Sequence, residues 1–340
     1  MNPTQHSPSP AGRALRRSLC ALAAAAWLLG AGLAQAQSGA AGAYPNRTVT
    51  LVVPFAVGSS TDIMTRVVAK VLNERLKTNH FIVDNKPGAN GVIASDQVAK
   101  ARPDGYTLLV GTGTTHTQAP WMMKTFPYDP VKDFEPVAGI GGVPLAVLVS
   151  RDSPARSLED LRRLVAGAPG KHGYGTAFGM STVCSENIRR AYNLDLAQVP
   201  YKSSPQALTD LIGGSITVLC TDFNSSMSAI RGGQVRALAV TTAQRNAQLP
   251  DVPTVAETLP AFPEMRSWVG VFAPRGTPAE ITQLLAPHIL AATESPDAVR
   301  SLGPNGFERL TVSGPAMAAF VQAELAKWGR LIEAAGIQKE

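Results

Sequence analysis

The chain has 340 residues, a formal net charge of +6, and 45% hydrophobic residues. This composition is typical of a globular protein, and the basic residues form no long run, which excludes a disordered chain and a polybasic nucleic-acid-binding segment. Three cysteines are too few for a disulfide scaffold of this length, so hydrophobic packing must supply most of the stability.

The N-terminal segment has the pattern of an export signal. Three arginines precede an apolar run from Leu19 to Leu33, and Ala34-Gln35-Ala36 offers small residues for cleavage. The apolar run is shorter than the ~20 residues that a membrane-spanning helix needs. We therefore predict a cleaved signal peptide over residues 1–36 and a periplasmic location, with enough remaining chain for two domains.

Strand and helix patterns alternate from residue 49 onward. Val49–Val53 is a β-rich run that ends at Pro54, whose missing N–H stops strand pairing. A helix with apolar residues four apart follows Ser60, and a second helical stretch lies between the strands Phe81–Val83 and Tyr106–Val110. This βαβαβ order predicts parallel strands, right-handed crossovers and an open sheet covered on both faces.

The same alternation begins again after the apolar run Leu145–Val149. Helical and strand patterns follow in turn as far as Thr241, and another strand is expected over Trp268–Ala273. Helical patterns over 281–290 and 316–332 complete the chain. The periodicity therefore predicts a second α/β lobe.

Familiar catalytic motifs do not occur in the sequence. There is no His-Glu-x-x-His, Gly-x-Ser-x-Gly, Walker-type or dinucleotide-binding pattern, and the histidines lack metal-ligand spacing. We therefore predict no catalytic residues, no metal and no cofactor. The positive signal lies in strand ends that run into Gly/Ser/Thr-rich turns opening helices, as in residues 54–62. Such turns either bind a carboxylate at unpaired N–H groups or simply cap the helices.

Eight peptides spread over roughly residues 44–335 carry a family resemblance. They are Pro54-Phe55…Gly58…Asp62…Arg66, Asn85–Gly91, Pro103–Leu108, Tyr128–Pro136, Val199–Lys202, Leu211–Gly214, Arg236–Thr241 and Leu249–Glu257. In this order and spacing they resemble the receptor family of the tripartite tricarboxylate transporters, also called Bug proteins. Each peptide alone is weak evidence for the family, whereas their joint order and spacing are specific to it.

The resemblance implies a fold like that of type II periplasmic binding proteins, with two α/β lobes joined by a hinge of crossing strands. Lobe one would comprise residues 44–144 and 270–340, lobe two residues 145–269, with crossings near 143–148 and 267–273. The implied function is a monomeric receptor that closes on a small carboxylated ligand and delivers it to membrane permease subunits. A sensor feeding a membrane signalling protein is one alternative, and a periplasmic enzyme is another.

Members of this family hold the ligand carboxylate with loop N–H groups, hydroxyls and bridging waters. The matching positions predict ligand contacts in both lobes: Phe55, Ala56, Ser59, Thr61, Asp62, Thr114 and Thr115 from lobe one, and Thr176, Ala177, Ser181, Tyr201, Thr221 and Asp222 from lobe two.

The second-lobe loop departs from the family pattern. Phe178 and Met180 stand where the family has glycines, and Cys184 stands where it has a histidine. We therefore predict a more apolar wall on this side, suited to an aromatic or partly apolar carboxylate rather than citrate. Cys184 and Cys220 are interpreted as two buried thiols, with a disulfide as the alternative.

Overall fold

The computed structural model describes residues 44–339, so the predicted signal peptide over residues 1–36 lies outside the described residues. All strands and helices described below lie in the larger unit of the chain, residues 47–340. Within residues 44–339, no helix has the length and apolar composition that crossing a membrane requires.

The first sheet of the larger unit has six strands. They are β1 (Val49–Val53), β2 (Phe81–Asn85), β3 (Thr107–Thr112), β4 (Phe134–Gly142), β10 (Val269–Pro274) and β11 (Glu308–Arg309). Their order across the sheet is β11-β4-β10-β3-β1-β2. β1 lies parallel to both β2 and β3, which confirms the predicted βαβαβ unit. β10 enters antiparallel between β3 and β4, so the sheet is mixed.

Helices connect and cover these strands. They are α1 (Ser60–Arg75), α2 (Val92–Ala99), α3 (Ala119–Met122), α9 (Ala279–Ala292), α10 (Pro296–Leu302) and α11 (Gly314–Ala334). A π-helical turn over Thr114–Gln118 leads into α3, and short 3-10 turns lie at Ala89–Gly91 and Gly303–Asn305. We call the first sheet with these helices the first lobe.

The second sheet has five strands, β5 (Leu145–Ser150), β6 (Gly173–Thr176), β7 (Ala197–Pro200), β8 (Val218–Asp222) and β9 (Val235–Val240). Their order across the sheet is β7-β6-β8-β5-β9. The accompanying helices, which complete the second lobe, are α4 (Leu158–Ala166), α5 (Gly179–Ala191), α6 (Ser204–Ile212), α7 (Phe223–Arg231) and α8 (Val255–Thr258). β6 is parallel to β7 and β8, whereas β5 is antiparallel to β8 and β9.

Two chain segments cross side by side between the sheets. Val143 and Pro144 join β4 to β5, and the chain returns to β10 through Arg266 and Ser267. Pro144 forms an antiparallel bridge with Arg266, and the Ser267 hydroxyl donates to the Val143 carbonyl at 2.9 Å. The pair forms the hinge of crossing strands, while the exact lobe boundaries stay a prediction.

The C-terminal helix α11 contacts both lobes. The Trp121 indole of the first lobe donates to the Leu325 carbonyl at 3.0 Å. Further along the helix, Trp328 and Ile332 are buried in the hydrophobic core of the second lobe. Gly329 permits this approach, because a β-carbon there would lie 2.7 Å from the Trp121 ring.

A disulfide joins α5 to β8 in the second lobe. Cys184 and Cys220 are both buried, their Cα atoms lie 6.3 Å apart and their sulfurs are bonded. The interpretation as two free thiols is therefore wrong. Sequence spacing alone could not decide the point, because bonding depends on how closely the fold brings α5 onto β8.

Candidate ligand-binding site

A cavity of about 60 Å³ lies between the two sheets. This volume is several times the roughly 10–15 Å³ that accommodates one water molecule. First-lobe and hinge residues that line it are Phe55, Ala56, Ser59, Ser60, Thr61, Thr112, Gly113, Thr114, Ser267, Trp268 and Val269. Second-lobe residues that line it are Ala177, Phe178, Met180, Lys202, Ser203, Ser204 and Asp222.

Three helices begin at this cavity. α1 starts at Ser60, α5 at Gly179 and α6 at Ser204, and residues of each first turn line the space. No side chain caps the N-terminus of α5 or α6. The first N–H groups of a helix have no partner inside it, and they carry the positive end of the helix dipole. The convergence therefore favours an anion in the cavity.

A buried carboxylate fixes the loop that precedes α1. Asp62 is 2% exposed and accepts hydrogen bonds from the Gly58 N–H at 2.9 Å, Arg66 Nε at 3.1 Å and Asn85 Nδ2 at 3.0 Å. Asn85 also donates to the Phe55 carbonyl at 3.0 Å. Burial alone would raise the pKa of Asp62, but the bonds from Arg66, Gly58 and Asn85 outweigh it and lower the pKa. Asp62 therefore shapes the loop as an ionised group.

The second-lobe wall carries two charged side chains of opposite kind. Asp222 is buried, and its carboxylate caps α7 by accepting from the Ser225 N–H at 3.0 Å. Burial raises the pKa of Asp222 more than its hydrogen bonds lower it. Lys202 is exposed and is the one cationic side chain among the described residues lining the cavity.

Phe178 and Met180 both line the cavity, together with Ala177. Ala177 and Phe178 also line a neighbouring cavity of about 570 Å³, which contacts Thr176 and Tyr201. Phe178 and Met180 therefore give this side of the cavity an apolar wall. Ala177 and Phe178 lie between the smaller cavity and the larger one, because they line both.

Seven of the thirteen predicted contact residues line the cavity: Phe55, Ala56, Ser59, Thr61, Thr114, Ala177 and Asp222. The other six are absent from its lining: Asp62, Thr115, Thr176, Ser181, Tyr201 and Thr221.

Most of these six side chains have partners within the protein. Thr115 Oγ1 donates to the Thr112 carbonyl, and Ser181 Oγ donates to the Cys220 carbonyl at 2.6 Å. The Tyr201 hydroxyl donates to Asp210 at 2.8 Å. Thr176 Oγ1 accepts from Gln198 at 3.1 Å, and Thr221 is fully buried in β8. Thr176 and Tyr201 lie on the neighbouring cavity instead.

Several lining residues were not predicted from the sequence: Ser60, Thr112, Gly113, Lys202, Ser203, Ser204, Ser267, Trp268 and Val269. The sequence could have identified three of them, Ser60, Ser203 and Ser204, because they stand at predictable helix starts. It offers no such pattern for Trp268 and its neighbours, because they reach the cavity only through the crossing at the hinge.

The described residues do not offer a metal centre. Within residues 44–339, no three His, Cys, Asp or Glu side chains are grouped to hold an ion. His116 is fully buried and stacks on Phe272 with ring centroids 4.1 Å apart. Burial lowers the pKa of His116 to about 3, so its ring is neutral and acts as part of the packing.

Comparison with known proteins assigns the family. Residues 64–337 match the model of the tripartite tricarboxylate transporter family receptor. A UPF0065 protein from Bordetella bronchiseptica is 38% identical over 310 residues, covering 90% of this chain and 89% of that protein. Protein BugT from Bordetella pertussis is 32% identical over 302 residues, covering 86% and 90%.

Solved structures agree with this assignment. R. palustris Rpa4515 with adipate has a TM-score of 0.83 and 35% identity, covering 87% of this chain and 100% of that one. MatC from Rhodopseudomonas palustris with bound malate has a TM-score of 0.78 and 32% identity, covering 85% and 100%. Periplasmic binding protein BugD has a TM-score of 0.82 and 32% identity, covering 87% and 100%. The chain thus belongs to the receptor family of the tripartite tricarboxylate transporters, a family of solute receptors rather than enzymes.

Proposed function

We propose that this chain is a periplasmic receptor that closes on a small carboxylated molecule and delivers it to a tripartite tricarboxylate-type permease. The observation that carries the proposal is the convergence of three helix starts on one cavity between the lobes. The adipate and malate bound by two similar structures support the ligand class.

The strength of such a site follows from its donors. A hydrogen bond to a charged group contributes about 1.5–3 kcal/mol. Three or four such bonds from helix N–H groups and hydroxyls contribute about 5–12 kcal/mol before the cost of association is subtracted, a range that includes the ~8 kcal/mol of a micromolar complex. Lys202 adds one exposed cation at the wall. The first-lobe hydroxyls of Ser59, Thr61 and Thr114 would orient the ligand by hydrogen bonds and add no charge to the site.

Closure of the lobes is part of the proposed mechanism. Asn224 Nδ2 in the second lobe donates to Ser60 Oγ in the first lobe at 2.8 Å. A ligand that contacts both walls gains its full interaction energy only in the closed form, so it shifts the population toward that form. The closed shape would then be the one that a permease recognises.

Calorimetric titration of the purified chain with mono-, di- and tricarboxylates tests the ligand class. We expect at least one small carboxylate to bind with a micromolar or lower dissociation constant. At one hundred times that constant the ligand should stabilise the fold by about 2.7 kcal/mol. If no carboxylate binds below the millimolar range, the proposal is wrong. Mass analysis of the periplasmic fraction should also find the chain without residues 1–36.

A matched pair of variants locates the site. Ser60→Asp places a negative charge at the first turn of α1, where the helix dipole tolerates it, and keeps an acceptor for Asn224. The added charge should weaken carboxylate binding at least about ten-fold by repulsion inside the cavity. Ser60→Asn, a neutral control of similar size, should retain most of the affinity. Equal affinities of the two variants would place the ligand elsewhere.

A further inference from the structure

We infer that Asp222 and Ser204 form a hydrogen-bond relay in the second-lobe wall, which donates to a ligand carboxylate only when Asp222 carries a proton. The inference rests on the proposed function and adds that the receptor takes up a proton together with its ligand. The affinity for a carboxylate would then fall as pH rises, although the ligand itself stays ionised.

Asp222 is a buried carboxyl group in the lining of a cavity that otherwise favours anions. The residue is 3% exposed, and three helices begin at the same space. Two carboxylates that share a small, partly dry site repel each other strongly, so one of them tends to bind a proton. A ligand carboxylate must therefore either avoid this wall or bind together with a proton.

The hydrogen bonds of Asp222 allow one of its oxygens to carry that proton. Oδ1 accepts from the Ser225 N–H at 3.0 Å, and this bond caps α7 whether or not Oδ2 is protonated. Oδ2 accepts from two hydroxyls, Ser225 Oγ at 3.1 Å and Ser204 Oγ at 3.4 Å. A hydroxyl both donates and accepts, so it can reverse its bond when Oδ2 gains a proton. The wall itself keeps its structure in both forms, because Oδ1 retains the cap.

Ser204 connects this carboxyl group to the cavity. It is the first residue of α6, is 7% exposed and lines the space. When Asp222 is ionised, the Ser204 hydroxyl donates to Oδ2 and has only lone pairs left for a ligand. When Oδ2 is protonated, it donates to Ser204 Oγ, and the hydroxyl hydrogen is released to donate to the ligand carboxylate. One proton therefore removes a repulsive charge and adds a donor.

The buried position of Asp222 favours proton uptake. Burial raises its pKa more than the bonds from Ser225 and Ser204 lower it. An anion in the cavity raises this pKa further, and protonation strengthens anion binding by the same factor. Affinity should therefore be highest below the pKa of the free protein and fall as pH rises toward the pKa of the complex.

The other charged groups around Asp222 are exposed or have partners of their own. Lys202 lines the same cavity but is exposed, so water and salt screen its charge. Across the cavity, Asp62 pairs with Arg66 on α1. The neighbouring strand β5 contains no titratable residue. The remaining groups are Glu186 of α5 with Arg189, Arg190 and Tyr174 of β6, Asp210 of α6 with Tyr201, and Arg231 of α7 with Gln248.

The test measures carboxylate affinity against pH in wild type and in Asp222→Asn, whose amide imitates the protonated carboxyl group. Adipate and benzoate are titrated by calorimetry from about pH 5 to about pH 9, where carboxyl groups with a pKa of ~4.3 are mostly ionised. For the tighter binder, wild-type affinity should fall at least about ten-fold over this range, equivalent to one pKa unit of coupling. Asp222→Asn should change by less than about two-fold and bind at least about ten-fold more tightly than wild type at the upper end.

Three controls separate the relay from a general effect on the fold. Asparagine is also a favoured N-cap, so Asp222→Asn should keep α7, and thermal unfolding checks this. Ser204→Ala should weaken binding about five-fold near pH 5 and little near pH 9, because only the protonated form uses the hydroxyl as a donor. Asp210→Asn changes a carboxyl group of α6 outside the cavity lining and should keep the wild-type pH dependence.

Calorimetry in buffers of different ionisation enthalpy counts the protons directly. Wild type should take up a substantial fraction of one proton per ligand at intermediate pH, and Asp222→Asn should take up almost none beyond what the ligand itself binds. The same pH dependence and the same proton uptake in both proteins would overturn the inference. That outcome leaves the proposed function intact, whereas failure of every carboxylate to bind at any pH would contradict the proposed function itself.

Discussion

The two walls of the cavity hold their helix starts in place by different interactions. In the first lobe, the loop before α1 is held by hydrogen bonds to one buried carboxylate, Asp62. In the second lobe, α5 is tied to β8 by the Cys184–Cys220 disulfide and packed in an apolar core behind Phe178. The first wall should therefore respond to pH and charge, and the second to reduction and side-chain volume.

Reduction of the disulfide should have the largest effect on stability. The bond links residues 36 apart in sequence, and closing a loop of that length lowers the entropy of the unfolded chain by an amount equivalent to about 3–4 kcal/mol. Urea unfolding with and without dithiothreitol should show a loss of about 3 kcal/mol. The control is a Cys184→Ala/Cys220→Ala variant, which should show no further response to reductant. Two thiols that label in the air-oxidised native protein would contradict the bond.

Asp62→Ala should have the next largest effect on stability. The change leaves the Gly58 N–H without its acceptor and removes one of the two acceptors of the Asn85 amide, so the free energy of unfolding at neutral pH should fall by about 2 kcal/mol. Urea titration of the variant measures this loss. Asp152→Ala is the control, because Asp152 has a 90% exposed side chain and should tolerate the change without measurable loss.

The pH dependence of the Asp62 effect has a definite sign. The folded state lowers the pKa of Asp62, so its contribution is present above the unfolded value of about 3.9 and disappears as pH falls through the folded value. The wild-type advantage over Asp62→Ala should therefore shrink only below about pH 4. An advantage that is constant from neutral pH to pH 2 would contradict the ionised role.

Phe178→Ala should change the length of ligand that the protein prefers more than it changes the free energy of unfolding. The residue lines both the cavity of about 60 Å³ and its neighbour of about 570 Å³, so we expect removal of the ring to widen the connection between the two. Calorimetry should show about ten-fold weaker binding of the acid that the wild-type chain prefers, through lost apolar contact, and stronger binding of longer acids. Met180→Leu keeps the volume of the same wall and should preserve the wild-type order. An unchanged order in Phe178→Ala would show that Phe178 does not limit ligand length.

Much of the fold follows from local sequence patterns. The βαβαβ order around β1, β2 and β3 was predictable, because apolar periodicity and helix caps act over a few residues. The loop before α1 also has a local explanation. Gly58 takes the left-handed φ of 80°, while Ser59 has an ordinary φ of −67° and caps α1.

The hinge end of the site was not predictable in the same way. Trp268 and Val269 line the cavity beside Gly113, although they lie about 150 residues later in sequence. Their approach to Gly113 depends on how β10 returns between β3 and β4. The disulfide depends likewise on tertiary packing. Sequence patterns therefore predicted the helix starts of the site but not the residues that join distant strands.

A crystal structure with the best-binding carboxylate tests the central claim most directly. We expect a ligand carboxylate within about 3.2 Å of backbone N–H groups at the starts of α1, α5 or α6. A ligand bound outside the space between the two sheets, or held only by surface side chains, would contradict the account.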